Sequence, residues 1–241
     1  MSANGTRRST TPRVLFVQHQ DDCPPGHVGE RILQRGAQVE VVRAQRPELP
    51  DPRRYDLIVS LGSYGSVLDD SASHVRREEG LLTAALESGV GVFGICFGAQ
   101  LLSKVLGGDV YPAPDGPEIG WLEVDTEPAA DGLLDKGPWL VWHLDVMTTP
   151  PGGVELARTG VGMQAFRHGD HLGVQFHPEA MMESVLAWAD HYRDLLEENG
   201  VDYERLITST RDLAPDTRRQ AYDLTDRVLD QTGVLAATRR E

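Results

Sequence analysis

The stretch Gly91–Gln100 constrains the fold of this chain more than any other. It reads Gly-Val-Phe-Gly-Ile-Cys-Phe-Gly-Ala-Gln. The apolar run that begins at Val90 is typical of a buried parallel strand. It ends at Cys96, and from Phe97 onward apolar residues recur at helical spacing. The sequence therefore predicts a strand that turns directly into a helix at a cysteine.

Two glycines indicate that this cysteine is a nucleophile. Gly94 and Gly98 flank Cys96 at the Gly-x-nucleophile-x-Gly spacing of a strand-to-helix elbow, with cysteine where many hydrolases have serine. Such a turn crowds the backbone, so a Cβ at either glycine would collide with the neighbouring strand or helix. The positive end of the helix dipole favours a thiolate there. A buried structural cysteine is the alternative for an isolated residue, and the elbow context argues against it.

Length, charge and cysteine content exclude several classes of protein. The 241 residues suit one large α/β domain or a domain with an appendage, and 40% hydrophobic residues suffice for a sizeable core. A net charge of −14 argues against a nucleic-acid-binding or anionic-membrane surface. No apolar run approaches a membrane span, and the N-terminus has no signal-peptide core. Two cysteines without a Cys/His cluster indicate no disulfide framework and no metal site, so we expect a reducing, cytoplasmic location.

Strands and helices alternate along the first half of the chain. This order predicts a parallel, doubly wound sheet with Cys96 at its carboxyl edge, where such sheets place their sites. Residues 1–12 are polar and are expected to be a disordered tail. The predicted elements are strands Arg13–Val17, Val39–Val42 and Leu57–Leu61, a helix ending near Arg35, and an amphipathic helix over Val75–Leu86.

The second half of the chain has a different pattern. Short strands punctuated by prolines run from Asp109 to Phe176 and predict an antiparallel edge on the sheet. We therefore divide the chain into the tail, a main domain over 13–179, and a helical extension over 180–241 packed on that domain. The predicted strands are Trp121–Val124, Leu140–Trp142, Glu155–Arg158, Gln164–Arg167 and Leu172–Phe176, and the predicted helices run from Ala180 to Gly200, over Tyr203–Leu206 and over Thr217–Leu229.

A thiol nucleophile needs a base, and the base needs a group that orients it. His177 is the best placed of the eight histidines because an apolar strand runs directly into it. Pro178 biases it toward an extended backbone, in which His177 and Glu179 project to the same side. The carboxylate would then fix the imidazole tautomer and stabilise imidazolium. A surface His-Pro-Glu at a strand end is the alternative for the tripeptide alone.

The motifs Gly-Ile-Cys-Phe-Gly-Ala-Gln and Gln-Phe-His-Pro-Glu together closely resemble the class I, triad-type glutamine amidotransferases. The layout is most similar to the standalone, GMP-synthase-like members. The resemblance implies a flavodoxin-like sheet sandwiched by helices. It also implies that Cys96 is the nucleophile, His177 the general base and acid, and Glu179 the orienting carboxylate.

Other segments resemble the family less specifically. Gln100 lies one turn beyond Cys96 and is similar to the family glutamine that contacts the amino-acid end of the substrate. Glu118-Ile-Gly-Trp121 and Trp142-His143-x-Asp145 also resemble family segments, which makes Trp121 and His143 candidate substrate-binding residues. For both, packing beneath the site is the alternative. His19 lies in another such segment and is expected to be structural.

The sequence departs from the family pattern at the expected oxyanion hole. Relatives usually have Gly-Gly-Pro after the third strand, whereas this chain has Leu61-Gly-Ser-Tyr-Gly65. Backbone amides near Gly62 and Ser63, together with the amide of Phe97, are the expected donors to the oxyanion. Leu144 also replaces a glycine that many relatives have, which would reshape the substrate pocket.

These features predict a cysteine-dependent hydrolysis of the glutamine γ-amide through a γ-glutamyl thioester, with no metal or organic cofactor. The sequence has no Gly-x-x-x-x-Gly-Lys-Ser/Thr loop, so we expect ammonia to pass to a separate synthetase. The main alternative is a self-sufficient hydrolase of larger γ-glutamyl amides. A DJ-1/PfpI-type protein and a non-catalytic regulator are less favoured. No nucleic-acid or membrane partner is expected, and the acidic C-terminal helices leave a homodimer open.

Overall fold

A computed structural model describes residues 11–69 and 71–234 of the chain. Most of the predicted disordered tail, 1–12, therefore lies outside the described residues. The strands are β1 (Arg13–Gln18), β2 (Gln38–Arg43), β3 (Leu57–Ser60), β4 (Gly91–Ile95), β5 (Val110–Pro112), β6 (Glu118–Leu122), β7 (Asp125–Thr126), β8 (Trp139–His143), β9 (Asp145–Met147), β10 (Val154–Arg158), β11 (Met163–His168) and β12 (His171–Val174). The helices are α1 (Gly26–Gln34), α2 (Ser73–Glu87), α3 (Phe97–Val105), α4 (Met182–His191), α5 (Arg193–Glu198) and α6 (Tyr203–Gln231).

The central sheet has the strand order β2-β1-β3-β4-β12-β11-β10-β7. Its first five strands are parallel, and β11, β10 and β7 continue it in antiparallel fashion. The order of the parallel strands is that of flavodoxin-like folds, with β12 in the fifth position. The predicted α/β fold, a mostly parallel, doubly wound sheet with antiparallel edge strands and C-terminal helices, is confirmed. Two small ribbons, β5-β9 and β6-β8, lie beside this sheet.

Strand β1 shows why helices cover both faces of the sheet. Val14 and Phe16 point to one face and pack with apolar residues of α1 and α6. Leu15 and Val17 point to the other face and pack with residues of α2 and α3. All four side chains are fully buried, and the alternation follows from the two-residue period of a strand. A third apolar cluster joins β8 to α4, α5 and α6.

The C-terminal helices differ from the prediction. The single helix expected from Ala180 to Gly200 is divided at Tyr192 into α4 and α5, whereas the two helices expected over Tyr203–Leu206 and Thr217–Leu229 form one continuous α6. Pro215 lies inside α6 and removes one backbone hydrogen bond. Buried residues recur on both sides of this proline, so packing against α1, α4 and β6 maintains the helix across it.

Two local differences concern strands. β6 begins earlier than the predicted strand Trp121–Val124 because its register with β8 pairs Glu118 with His143 and Trp121 with Leu140. The prediction also missed β5, β7 and β9, which are two or three residues long. Among the helices that the structure describes, none is long and apolar enough to cross a membrane.

Candidate active site

Cys96 lies at the turn between β4 and α3, as the elbow pattern predicts. Its φ of 51° is unusual for a residue other than glycine and is the local strain expected of such a turn. A Cβ at Gly98 would lie 2.1 Å from the carbonyl oxygen of Ser60, and one at Gly94 would lie 2.5 Å from the carbonyl oxygen of Gly98. Only glycine therefore allows β3, β4 and α3 to approach this closely.

The sheet brings His177 and Glu179 to the same edge as Cys96. β12 is the parallel neighbour of β4, and the Cys96 N–H donates to the carbonyl of Val174 at 2.8 Å. His177 follows β12, and its N–H donates to the carbonyl of Leu140 at 2.8 Å. Its Nδ1 lies 2.8 Å from Oε1 of Glu179, and both side chains are buried.

Cys96 and His177 meet at one backbone carbonyl. The Trp142 oxygen lies 3.6 Å from Cys96 Sγ and 3.3 Å from His177 Nε2. Burial alone would lower the pKa of His177, but the charges of Glu179 and Cys96 and hydrogen bonds to both outweigh it. The pKa of His177 is therefore raised well above its ordinary value. This environment favours an imidazolium beside the sulfur.

The second cysteine has a different electrostatic environment. Burial, and then the negative charges of Asp22, Glu179 and Cys96, raise the pKa of the Cys23 thiol far above its ordinary value. Cys23 therefore remains a protonated, unreactive thiol even though it borders the same cavity.

The residues predicted to form an oxyanion hole lie around Cys96. A Cβ at Gly62 would lie 3.0 Å from Cε1 of His177 and 3.9 Å from Cβ of Cys96. Ser63 and Phe97 both line the cavity at the sulfur. Within the described parts of the chain, neither the Ser63 N–H nor the Phe97 N–H has a hydrogen-bond acceptor. Two amide donors are thus free to bind a ligand oxygen.

A cavity of about 180 Å³ opens over Cys96, and two glutamines connect its wall to the sulfur. Gln100 donates to the Asp145 carbonyl at 3.0 Å and to Oε1 of Gln175 at 3.2 Å. Gln175 in turn donates to Cys96 Sγ at 3.5 Å. Gln175 is a residue of this site that no motif in the sequence predicts. Its position two residues before His177 in an extended segment is a signal that places both side chains on one side.

His143 and Trp121, the other two predicted substrate-binding residues, occupy different places. His143 lines the cavity, and its Nε2 lies 3.1 Å from Oε2 of Glu118, while its buried Nδ1 has no partner among the described residues. Trp121 is not among the described residues that line the cavity; its indole N–H donates to Thr210 on α6 at 2.9 Å. The structure thus brings Gln100 and His143 to Cys96 but not Trp121.

Aromatic side chains form one wall of the cavity, a feature that sequence analysis did not predict. Trp142 comes from β8, Trp188 comes from α4, and Tyr192 lies at the junction of α4 and α5. Tyr64 joins them, stacks on His191 with ring centroids 4.4 Å apart, and donates a hydrogen bond to Asp22. Burial, followed by the charges of Cys96, Cys23 and Asp22, raises the pKa of Tyr192 to about 12, so its hydroxyl remains a donor.

The described residues contain no group of three or more His, Cys, Asp or Glu side chains that could hold a metal ion. Asp145 carries the only carboxylate among the described residues that line the cavity, and no lysine or arginine lines it. Asp145 accepts a hydrogen bond from the Ser66 hydroxyl at 2.5 Å. The cavity therefore offers two thiols, two imidazoles, free backbone amides and one carboxylate.

The α/β fold carries a cysteine elbow and a buried histidine–carboxylate pair, and similarity to known families specifies the class of protein to which it belongs. The family model for class-I glutamine amidotransferases matches residues 27–185, well over half of the chain. The chain belongs to the class-I glutamine amidotransferase family. Membership confirms the resemblance found in the sequence.

Curated relatives and solved structures agree with this assignment. The chain is 37% identical over 166 residues to GMP synthase (glutamine-hydrolyzing) of Aeropyrum pernix, covering 63% of this chain and 30% of that protein. It is 33% identical over 176 residues to the protein of that name from Thermomicrobium roseum, covering 67% of this chain and 33% of that protein. The chain thus spans about a third of the length of these relatives. A glutamine amidotransferase from Methylobacillus flagellatus superposes with a TM-score of 0.83 at 25% identity, covering 92% of this chain and 95% of that one.

Proposed function

We propose that this chain hydrolyses the γ-amide of glutamine through Cys96, with His177 as general base and acid and Glu179 as the orienting carboxylate. The observation that supports this most directly is that Cys96 Sγ and His177 Nε2 lie within 3.6 Å of one carbonyl oxygen, while His177 Nδ1 lies 2.8 Å from Glu179. Such an arrangement of thiol, imidazole and carboxylate suits nucleophilic acyl transfer.

In the proposed reaction the Cys96 thiolate forms a C–S bond to the γ-carbonyl carbon, and the carbonyl electron pair moves to oxygen. The free N–H groups of Ser63 and Phe97 bind this oxyanion, each worth about 3–4 kcal/mol of barrier. The C–N bond then breaks as His177 donates its proton to the leaving nitrogen, which leaves a γ-glutamyl thioester. Water, deprotonated by His177, attacks the thioester, and glutamate and the thiolate are released.

The lining of the cavity supports a role for polar residues in binding the amino-acid end of the substrate. Asp145 would attract the α-ammonium group, and the unpartnered Nδ1 of His143 faces the same substrate end in this proposal. Gln100 would hold this side of the pocket through its bond to the Asp145 carbonyl. Because no lysine or arginine lines the cavity, the α-carboxylate must rely on neutral donors.

We also propose that residues 13–179 form the amidotransferase unit and that the C-terminal extension from residue 180, which the structure describes as far as residue 234, covers it, since Trp188 and Tyr192 close the cavity wall. The ammonia acceptor would be a synthetase partner, in keeping with relatives whose names combine GMP synthase with glutamine hydrolysis. A reducing compartment such as the cytoplasm would keep the Cys96 thiol active.

The proposal is tested by comparing the wild-type protein with Cys96→Ser and Cys23→Ser. Glutamate release from glutamine should fall by at least about 10³-fold in Cys96→Ser. A γ-chloroketone analogue of glutamine should alkylate Cys96 in the wild-type and Cys23→Ser proteins, because the raised pKa of Cys23 keeps that thiol unreactive. Unchanged glutamate release by Cys96→Ser would contradict the assignment.

The aromatic wall favours a second candidate function, hydrolysis of γ-glutamyl amides with a larger leaving amine. Tyr64, Trp142, Trp188 and Tyr192 offer more apolar surface than an ammonia leaving group requires. A panel of glutamine, γ-glutamyl alkylamides and γ-glutamyl anilides distinguishes the two. A kcat/KM for an anilide more than tenfold above that for glutamine, in the absence of any other protein, supports the second function; glutaminase activity that rises only with a synthetase supports the first.

A further inference from the structure

A buried ion-pair network lies directly behind the proposed oxyanion hole, and the reaction described above makes no use of it. His19 Nε2 lies 2.8 Å from Oε2 of Glu78, and both side chains are fully buried. The other oxygen of Glu78 accepts a hydrogen bond from the Ser60 hydroxyl at 2.6 Å. Burying a charged carboxylate is costly, so a chain that needed only packing here would gain from an apolar residue on α2.

His19 reaches both segments that carry the oxyanion donors. Its Nδ1 lies 3.1 Å from the carbonyl oxygen of Gly62, and its ring packs edge-on against Phe97 with centroids 4.5 Å apart. A carbonyl oxygen only accepts, so Nδ1 must carry the hydrogen. Oε2 of Glu78 contacts the other ring nitrogen, so the carboxylate holds the imidazole in the orientation that aims Nδ1 at Gly62.

The Gly62–Ser63 peptide links this network to the cavity. It is a trans peptide, so its C=O and N–H groups point in opposite directions. A hydrogen bond that fixes the Gly62 carbonyl toward His19 therefore fixes the Ser63 N–H on the opposite face. Ser63 lines the cavity beside Cys96, and its N–H has no acceptor among the described residues.

We propose that His19 and Glu78 are positioning residues: they hold the Gly62 carbonyl so that the Ser63 amide points at the developing oxyanion. The proposal rests on the proposed function because it concerns the same oxyanion hole. It also bears on a departure from the family, since Tyr64 stands where relatives have the proline that would stiffen this turn. His19 thus has a more specific role than the structural one expected from the sequence.

Two isosteric substitutions separate positioning from packing. The substitution His19→Asn places an amide N–H where Nδ1 stands. It therefore keeps the hydrogen bond to the Gly62 carbonyl but loses the contact with Glu78. The substitution His19→Gln places its amide near the position of Nε2, so it keeps the contact with Glu78 but loses the hydrogen bond to the Gly62 carbonyl. Because His19→Asn leaves a buried carboxylate without its main partner, it should have the lower melting temperature of the two.

The experiment measures kcat and KM for glutamine, the inactivation rate by a γ-chloroketone analogue of glutamine, and the alkylation rate by iodoacetamide. The chloroketone carbonyl occupies the oxyanion site while the C–S bond forms and chloride leaves, whereas iodoacetamide alkylation needs no such site. We expect His19→Gln to lose about 10–100-fold in kcat and in the chloroketone-to-iodoacetamide rate ratio, with KM changed less than threefold. In His19→Asn, kcat and the rate ratio should each stay within about fivefold of the wild-type values. The less stable variant, His19→Asn, is therefore expected to be the more active of the two.

Three results would overturn the inference. The first is a chloroketone-to-iodoacetamide rate ratio that is the same in the wild-type protein and both variants. The second is a loss of kcat that is larger in the variant with the lower melting temperature. Either result would show that His19 contributes only packing. A wild-type His19 whose Nδ1 lacks a proton in ¹⁵N–¹H correlation spectra would also overturn it, and this measurement needs no variant to fold. Failure of the chloroketone to label Cys96 in the wild-type protein would overturn the proposed function itself, and the two failures are therefore distinguishable.

Discussion

At the residue scale, the two cysteines lie in different surroundings, which bears on the proposal that Cys96 is the nucleophile. Gln175 donates to Cys96 Sγ, and His177 lies within reach of the same Trp142 carbonyl, so the sulfur faces polar donors. Cys23 borders the same cavity, but acidic neighbours and burial keep its thiol protonated. Because both cysteines are buried, we expect any difference in their reactivity to come from their electrostatic environment and not from exposure.

Replacing Glu179 by glutamine tests the carboxylate's effect on His177. Despite burial, the charges of Glu179 and Cys96 raise the pKa of His177, so the imidazolium persists to higher pH. Removing the Glu179 charge should lower this pKa, shift the alkaline limb of the kcat/KM profile to lower pH, and reduce kcat by roughly 10²–10⁴-fold. The measurement is the pH dependence of glutamate release.

The control for this variant is Glu183→Gln, which removes the same charge from an exposed position in the first turn of α4. It should leave the pH profile unchanged. An alkaline limb at the same pH in Glu179→Gln and in the wild-type protein would contradict the orienting role of Glu179.

At the scale of elements, the elbow requires that α3 start against the end of β3. A Cβ at Gly98 would approach the backbone oxygen of Ser60 to 2.1 Å, and backbone atoms there cannot move aside as a flexible side chain could. Gly98→Ala should therefore lower the free energy of unfolding by about 3 kcal/mol or more and abolish activity. Urea denaturation and glutamate release measure the two effects.

Gly80→Ala is the matched control because Gly80 is an exposed glycine inside α2 with no atom within 4 Å of the added Cβ. It should leave activity intact and raise the free energy of unfolding by about 0.5–1 kcal/mol. Equal stability changes in the two variants would show that the predicted crowding at Gly98 is wrong.

The continuity of α6 across Pro215 leads to another prediction. Pro215 is exposed, so its ring makes no buried contact that compensates for the missing hydrogen bond. Pro215→Ala should stabilise the protein by about 1–3 kcal/mol. Asp212→Ala, at another exposed position of the helix, should change stability by less than about 0.5 kcal/mol. A destabilised Pro215→Ala would indicate that the proline is needed for the packing of α6.

At the scale of the whole molecule, ion pairs connect the first helix to the last. Arg31 donates two hydrogen bonds to Asp226, at 2.9 and 2.6 Å, and Nε of Arg35 lies 3.4 Å from the same carboxylate. The Arg31 and Asp226 side chains are each only 25% exposed, so solvent screens this bidentate pair less than most surface pairs.

Asp226→Asn should therefore reduce the free energy of unfolding by about 1–2 kcal/mol, measured by thermal or urea denaturation. The control is Asp216→Asn, which breaks an exposed i,i+3 pair with Arg219 and should cost less than about 0.5 kcal/mol. Indistinguishable effects of the two variants would contradict a role for the Arg31–Asp226 pair in joining α1 to α6.

The sequence could predict the features that depend on local patterns. Glycine spacing around Cys96 determines the geometry of the elbow, and the alternation of strands and helices determines a parallel sheet. The prediction of an extended His-Pro-Glu segment is wrong: a turn, closed by the Ala180 N–H and the His177 carbonyl, brings Glu179 back to His177. Features that depend on which strands become neighbours could not be predicted in this way. His19 and Glu78 are 59 residues apart and meet only because β1 and β3 are adjacent in the sheet.

The missed elements have similar physical reasons. β5, β7 and β9 are too short to show a two-residue period, and they exist because a partner strand lies beside them. The aromatic wall combines residues from β8, from the turn after β3 and from the C-terminal helices, so no single segment of sequence indicates it. Pro215 predicts a helix boundary, which tertiary packing of α6 overrides.

The most direct test of the central claim is to trap the covalent intermediate. Wild-type protein is mixed with glutamine, quenched in acid within the first turnover and digested, and its peptides are analysed by mass spectrometry. We predict that the peptide containing Cys96 gains the mass of one γ-glutamyl group, that the adduct is sensitive to hydroxylamine as a thioester is, and that Cys96→Ser lacks it. Glutamate release with no adduct on Cys96, or an adduct on a different residue, would contradict the account.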